Sequence, residues 1–537
     1  MARELNAEIA QAEWRLAELD RLRRDAAARL DELHRLRATP DARPIHGDEL
    51  SAASKVSLFR DLFRGREDVF AARWENQARG RSGYAPRCTN EWRHGICGKP
   101  KVRCGACQNQ AFIELGDQEL LAHLQGHQIV GIYPLLTNDT CRLLAIDLDG
   151  RSWQADARAI RETCKSLDLE PAIERSRSGN GAHLWFFFAE PVRAADARRL
   201  GLAILTRTMA SGAPLGVDSY DRLFPSQDVV PAGGFGNLIA LPLQLAARKV
   251  GNTEFLTEEL EPHPDQWSFL ASVPRITADQ LGEVIHKAAA NDGTLAVRSA
   301  DEDRHVPWRP SPTIRDRLDK EAMPRSLAAT LADRLYIDRS AAPPVLAHAL
   351  RRVATFSNPM FLERQRMRMS VARTPRVIGC FEDLERHIAL PRGCLADAEA
   401  LLGELDVKLD LEDERIEAGP LGVNFRGSLD DTQQKAVNAM LAHDAGVLCA
   451  PPGWGKTVAA ANLIAARDCS TLILVHRKPL VEQWAERLRE FTDIEANAVG
   501  RIGAGRRRIT KRIDIAMVQT LARSETATEL LQGYGHV

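Results

Sequence analysis

Hydrophobic positions recur with different periods in different parts of the chain. Between residues 3 and 37, Leu5, Ala12, Leu19, Ala26 and Leu33 keep a seven-residue step. Ile9, Leu16 and Leu30 fill the alternate step, with Arg23 interrupting. Apolar a and d positions form one stripe, so residues 1–38 are expected to hold a coiled coil or one amphipathic helix packed on its own protein. Thr39-Pro40 ends it, since proline cannot continue a helix. A cysteine-rich lead-in spans 55–128, and an α/β region spans 129–260. There Arg142 to Asp149 is an apolar run closing on Asp-Leu-Asp, and 173–188 reads as two strands around Gly179-Asn180-Gly181. Scattered proline and charge make 261–312 a connector, and 313–424 reads as mixed and largely helical. Within 425–537, Gly446 to Ala450 reads as a short strand leading through a loop to an alanine-rich helix. The pattern predicts an α/β multidomain chain.

Composition changes this picture little. The chain has 537 residues, 44% hydrophobic and 27% charged, in the range of ordinary soluble domains. A net charge of -1 gives no global signal for nucleic acid, so any such surface must be local. The densest basic cluster, Arg506-Arg507-Arg508 with Lys511 and Arg512, reads equally as a solvated loop or a phosphate contact. No apolar run reaches the roughly 20 residues that span a bilayer. The charged N-terminus does not resemble a signal peptide, so a cytoplasmic location without a membrane partner is expected.

Reduced thiols are the rule there, and four of the ten cysteines crowd together as Cys88, Cys97, Cys104 and Cys107. Four soft ligands, two of them on a Cys-x-x-Cys turn, suit structural zinc. His94 could replace Cys97 as a ligand. Lys99, Lys101 and Arg103 lie between the ligands and would offset thiolate charge.

Strand side chains two apart share a face, so Asp147 and Asp149 point together. Paired carboxylates repel unless a cation sits between them, and hard oxygen ligands favour magnesium or manganese. The following hairpin carries Arg175, Arg177 and His183 beside a glycine-rich turn whose amides can approach phosphate. A third acid follows an apolar residue at Asp218, with Asp221 and Arg222 close behind.

Asp-x-Asp, a glycine-rich hairpin ending in His, and a later apolar-Asp resemble the three motifs of archaeo-eukaryotic primases and primase-polymerases. The closer resemblance is to the primase domain of TOTE conflict systems. It rests also on Cys88 to Trp92, Phe224-Pro225-Ser226-Gln227-Asp228 and Asn237 to Pro242, and it covers roughly 85–250. The resemblance implies an RRM-like α+β core with a zinc knuckle. It implies that Asp147, Asp149 and Asp218 hold two metals, with His183 and the backbone of Ser178, Gly179 and Gly181 holding the incoming NTP or dNTP. Arg222 is a further phosphate candidate. Many relatives have Ser where this chain has Gly181, and Ser176 or Ser178 is expected to take that role through the longer turn. Implied with the family are a primer-making or primer-extending activity on a single-stranded template, with DNA preferred, and a defence or conflict role.

Pro451-Pro452-Gly453-Trp454-Gly455-Lys456-Thr457 is a phosphate-binding loop with Ala450 in the first glycine's place. Its amides, with Pro452, Gly453 and Gly455 in the turn, would cradle ATP; Lys456 would reach the outer phosphates and Thr457 the magnesium. The surroundings resemble a superfamily 2 helicase, with Gln433 at the adenine-sensing position, Leu472 to Trp484 like its next motif, and Ile515 to Leu521 like the one after. No Asp-Glu box lies downstream of Lys456, so the helicase lobe is read as partial and C-terminally truncated, binding nucleotide without useful hydrolysis. Two other roles compete with catalysis at Asp147. One is a nucleic-acid-dependent ATPase translocase whose primase-like part only binds nucleic acid. The other is a scaffold, with the 3–37 helix mediating self-association or binding a partner helix.

Overall fold

The computed structural model describes residues 50–292, 323–415 and 419–537, apart from 77–79, 212–214, 216–218, 220, 373, 504–505 and 525. The helix read over 3–37, and Asp218, lie outside the described residues. Two compact units are present. The first comprises Met1–Gly201, Asp221–Ile285 and Glu363–Ala372; the second comprises Leu202–Tyr220, His286–Leu362 and Arg373–Val537. Among the described residues no helix is long and apolar enough to cross a membrane.

The first unit opens with helix α1 (Ala52–Leu62), whose N-terminus is capped by the Ser51 hydroxyl accepting from the Ser54 amide. Strands β1 (Ala71–Asn76), β2 (Arg81–Pro86), β3 (Val130–Ile132) and β8 (Ile239–Ala240) form a sheet in the order β2-β1-β3-β8. The second sheet runs β5-β6-β4-β7, built from β4 (Thr140–Asp149), β5 (Ala172–Arg175), β6 (Gly181–Arg193) and β7 (Leu223–Phe224). A short β9 (Arg275–Ile276) adds to β6 in parallel. The two strands expected around the Gly-Asn-Gly turn are therefore β5 and β6, paired antiparallel.

β4 lies between β6 and β7, so its hydrogen-bonding edges are taken on both sides. Leu143, Leu144, Ala145 and Ile146 are accordingly shut off from water. Leu143 and Ala145 belong to one apolar cluster with Phe59, Phe63, Trp185 and Phe187. Phe63 meets Trp185 and Phe187 edge-on, with ring centroids at 5.0 and 5.3 Å. Burial of each such side chain contributes roughly 1.5–3 kcal/mol. On the other face a Cβ at Gly201 would fall 2.9 Å from Leu223 and 3.3 Å from Leu144, so glycine lets its helix (Ala194–Ala210) come close. Asp147 and Asp149 continue the Leu143–Ala145 face past the end of the apolar cluster.

Residues 261–292, part of the segment 261–312 expected as a connector, have regular structure. They hold helices Gln266–Ser272 and Ala278–Asp292, the first capped by the Asp265 carboxylate, which accepts from the amides of Trp267 and Ser268. The side chain of Gln266 is buried and bonds both the amide and the carbonyl of Phe255, which ties this segment to the core.

The second unit carries a five-stranded sheet within the segment expected to be mixed and largely helical. Its strands are β10 (Ser326–Leu331), β11 (Arg334–Asp338), β14 (Glu382–Asp383), β15 (His387–Pro391) and β16 (Lys408–Asp413), in the order β14-β15-β11-β10-β16. β12 (Thr355–Ser357) and β13 (Val377–Gly379) pair separately. Burial alternates along β10 and β11, the two-residue period of a half-covered sheet, and the strands are too short for that period to stand out among helical neighbours. Further along, β17 (Thr471–Val475), β18 (Val499–Gly503) and β20 (Ile513–Met517) run parallel in the order β17-β20-β18, with β19 (Arg506–Arg508) antiparallel on β18.

The strand expected at Gly446 to Ala450 does not form. No described strand runs beside it, and Val447 is 91% exposed. A strand exists through hydrogen bonds to a neighbour, and an apolar sequence alone does not supply them. The helix after the loop does form, as Lys456–Arg467.

Candidate active site

Sheet register brings three acidic and basic side chains into one row. Asp147 on β4 stands opposite His183 on β6, and His183 stands opposite Glu174 on β5. All three point to the face that carries Trp185 and Phe187. His183 Nδ1 lies 2.8 Å from Glu174 Oε2, and His183 Nε2 lies 3.6 Å from Asp147 Oδ1. Exposure rises along the row, from 1% for the Glu174 side chain through 14% for His183 to 23% for Asp147. Asp149, one pleat further out, is 59% exposed and 3.1 Å from Arg222 Nη1. Arg222 therefore sits on a carboxylate in this structure, and its carbonyl accepts from the Asp147 amide at 3.0 Å.

These neighbours set the electrostatics. Burial pushes Asp147 above the ordinary carboxylate range and Asp149 adds to the push, while His183 and Arg222 oppose it. Burial works against charge on His183, but Glu174 outweighs it, with help from Asp147 and Asp149, and the imidazole is raised above its usual value. The site thus concentrates negative charge around one histidine and one arginine, the environment that a hard cation would relieve.

The glycine turn is built closely. Gly179 has φ +77°, and a Cβ at Gly181 would fall 2.3 Å from the Leu148 carbonyl oxygen, 3.1 Å from Asp149 Oδ1 and 3.3 Å from Ser176 Oγ. Gly181 is thus required where its backbone crosses Asp149, and a serine there would not fit this turn. The Ser176 hydroxyl occupies the neighbouring space and shares a hydrogen bond of 3.0 Å with Ser178, whose oxygen also accepts from the Asn180 amide. Arg175, by contrast, is used up in holding the carbonyls of Gly251 and Leu260.

Two expectations were incomplete. Asp218 lies outside the described residues, and the nearby Asp221 is exposed. Glu174 went unnoticed, although an acid in the strand Ala172-Ile173-Glu174, two residues from a buried alanine, was a legible signal of an inward carboxylate.

Cys88, Cys97, Cys104 and Cys107 line one cavity of about 20 Å³ together with Lys99 and Glu91, and His94 is not among its lining residues. All four are free thiols, and burial pushes Cys104 up. Lys99 bonds Glu91 at 2.8 Å. Among the described residues no three His, Cys, Asp or Glu side chains stand close enough together to hold a metal ion, at this cavity or at the aspartates.

In the second unit, Gly453 and Gly455 take φ +82° and +94°, and helix Lys456–Arg467 starts immediately behind them. Lys456 Nζ donates to the carbonyls of Ala450 and Pro451 at 2.7 and 2.8 Å. Gln433, which closes a capping box with Asp430, donates to the Trp454 carbonyl at 2.8 Å, so it does reach the loop. Arg508, Lys511 and Arg512 donate to the carbonyls of Asn497, of Leu530 and Gln532, and of Leu421, and all three stay exposed.

Residues 54–284 match the family model of the archaeo-eukaryotic primase domain of TOTE conflict systems. Residues 426–536 match that of the res subunit of type III restriction enzymes. A protein of Halobacterium salinarum named for the Rad25 DNA 3'-5' helicase is 36% identical over 110 residues, which is 20% of this chain and 18% of its own length. DNA 3'-5' translocase XPB2 of Sulfurisphaera tokodaii is 30% identical over 97 residues, 18% of this chain and 22% of that protein. The chain thus spans about a fifth of the length of these curated relatives. Among solved structures, the UvsW helicase from bacteriophage T4 aligns with a TM-score of 0.28 and 17% identity, over 37% of this chain and 78% of that one, a likeness too low to carry weight.

Proposed function

From a chain that joins an archaeo-eukaryotic primase domain to a superfamily 2 helicase-type domain, both of families that bind nucleic acid, we propose a metal-dependent nucleotidyltransferase that makes or extends primers on a single-stranded DNA template. The observation that supports it is the row at the end of β4, where Asp147 faces His183 across the sheet and Asp149 follows on the same face. Asp147 and Asp149, with Asp218 from outside the described residues, would hold magnesium or manganese. The chemistry such ions supply is alignment of a 3′-hydroxyl with the α-phosphate and neutralisation of charge on the attacking and leaving oxygens. His183 and the amides of Ser178 to Gly181 bind the triphosphate, and Ser176 lends its hydroxyl to the same turn.

The four cysteines around their shared cavity are proposed to hold a structural zinc ion, and the Gly453 to Thr457 loop to hold ATP with its magnesium. The setting is proposed to be cytoplasmic and the biological role defence or conflict. A second reading, an ATP-driven translocase in which the primase domain only binds nucleic acid, draws on the formed loop with Lys456 and Gln433.

Primer extension on a single-stranded template tests the first reading. Asp147→Asn and Asp149→Asn should each lower nucleotide incorporation on the order of 10³-fold, the scale of lost charge stabilisation at a reacting centre. Wild-type rates in the double variant would sink the assignment and leave the second reading.

A further inference from the structure

A second surface of the first unit has no part in the reaction proposed above. The cysteine lobe from Arg87 to Ile113 carries Arg87, Arg93, Lys99, Lys101 and Arg103 against a single acid, Glu91, in a chain whose net charge is -1. A zinc ion among four thiolates would add two negative charges and still leave the lobe positive. Arg87, Arg93, Lys101 and Arg103 are exposed. A local excess of cations in a near-neutral chain suits a polyanion.

Apolar side chains turn outward among these cations. Trp92 is 67% exposed, and Ile96 and Val102 are each 41% exposed. Trp92 also takes φ 60°, a left-handed conformation that a bulky residue rarely adopts and that strains the backbone. Packing does not offset that strain, because most of the residue lies in water. Lys99, bonded to Glu91 at 2.8 Å, stands over the indole at 5.7 Å and braces it. The lobe shares its support with the glycine turn. Cys88 is bridged to Phe112, whose ring meets Phe235 edge-on at 5.2 Å. Phe112 and Tyr84 pack on one apolar cluster of Val69, Ala71 and Tyr133. At the Tyr84 phenol lie the guanidinium groups of Arg73 and Arg177, and Arg177 leads into the Ser178 to Gly181 turn.

We propose that the cysteine lobe is the docking surface for the single-stranded template, with Trp92 stacked on a base and Arg93, Lys101 and Arg103 on the neighbouring phosphates. That the bound strand is a template rests on the nucleotidyltransferase reading. A duplex keeps its base faces covered, so a single strand is the nucleic acid that can use an open indole.

5-Fluorotryptophan in the full chain gives the indoles fluorine-19 resonances, and Trp92→Phe identifies the one from Trp92. Oligothymidylate should shift that resonance, and duplex DNA should not. A strand bound elsewhere on the chain leaves it in place. In fluorescence anisotropy with labelled oligothymidylate and no nucleotide, Trp92→Ala should weaken binding on the order of 10-fold and Trp92→Phe by less than about 3-fold, since a ring still stacks. Lys101→Gln with Arg103→Gln should make the slope of log affinity against log salt shallower by about 1.4, the release from two phosphates of a single strand. Trp92→Gly should weaken binding as Trp92→Ala does, yet keep or raise the unfolding midpoint, because glycine takes a positive φ without strain. A Trp92 resonance that oligothymidylate leaves unmoved, or that duplex moves as far, would overturn the proposal, as would unaltered affinity and salt slope in the folded variants. If Trp92→Ala does not fold, the fluorine spectrum of the wild-type chain decides alone. A chain whose Trp92 responds to the strand but which incorporates no nucleotide contradicts the proposed function and leaves this surface as a single-strand site.

Discussion

Asp147 stands near the end of a strand paired along both edges, whereas the phosphate loop around Lys456 follows a segment paired along neither. Both places are proposed to hold nucleotide phosphates, and their supports differ in kind. β4 carries four consecutive residues with no exposed surface and delivers its carboxylates on a fixed register. Val447, four residues from the loop's first tight turn, is almost fully in water, and Lys456 bonds to carbonyls of its own loop. Among the described residues, the outer edge of β17 takes a bridge between Thr471 and His536. A sheet that surrounds a strand fixes the chemistry it bears, while a loop ahead of an unpaired segment takes its shape from local contacts such as Gln433 to Trp454.

The largest test of this contrast is a pair of truncations. Leu144→Ala should cost about 2–5 kcal/mol in the first unit, as deletion of fully enclosed methyl groups does. Val447→Ala should change stability by less than about 0.5 kcal/mol, since little surface is uncovered. Chemical denaturation of both variants, followed by tryptophan fluorescence, checks the difference. Equal losses would mean that Val447 is packed in solution and that the two strands are alike.

This contrast also accounts for what could be read in the sequence. Asp147, Asp149 and His183 were legible because strand alternation fixes which side chains share a face, and the glycines marked the hairpin between β5 and β6. The row Glu174–His183–Asp147 was not legible, because register between strands is set by pairing and does not appear in any single segment. The strand at 446–450 was overread for a related reason. Its residues are apolar enough, but pairing is a property of neighbours. The 326–413 sheet was missed because its strands are two to six residues long and interleaved with helices Pro344–Val353 and Leu395–Glu404. The basic cluster at 506–512 offered two readings, and the structure adds only that Lys511 and Arg512 also brace nearby carbonyls.

Acid should weaken the first unit by a smaller amount. His123 is buried in the first unit, with Nε2–H donating to the Pro242 carbonyl at 2.8 Å and Nδ1 accepting from the Val130 amide at 3.1 Å. Burial lowers it to about 4 from 6.5. The unfolded chain therefore binds a proton that the folded chain refuses between those values, and stability falls as pH drops through that window. From pH 7 to pH 5 the loss attributable to His123 is about 2 kcal/mol. Unfolding midpoints across that range should fall for the wild-type chain and fall less steeply for His123→Phe, although that variant starts lower. A flat wild-type profile would show that His123 takes up its proton without disturbing β3.

The smallest expected effect is the most discriminating. Lys456 belongs to the second unit and Asp147 to the first. Lys456→Ala removes the cation that would reach the outer phosphates of ATP, so ATP affinity should fall while primer extension at Asp147 stays within about 2-fold of wild type, as for independent sites. Fluorescence titration with ATP and the extension assay on the same preparation measure the two quantities side by side. If extension falls together with ATP affinity, the two nucleotide sites are energetically coupled, and the contrast between a fixed strand and a free loop describes two parts of one machine rather than two separate ones.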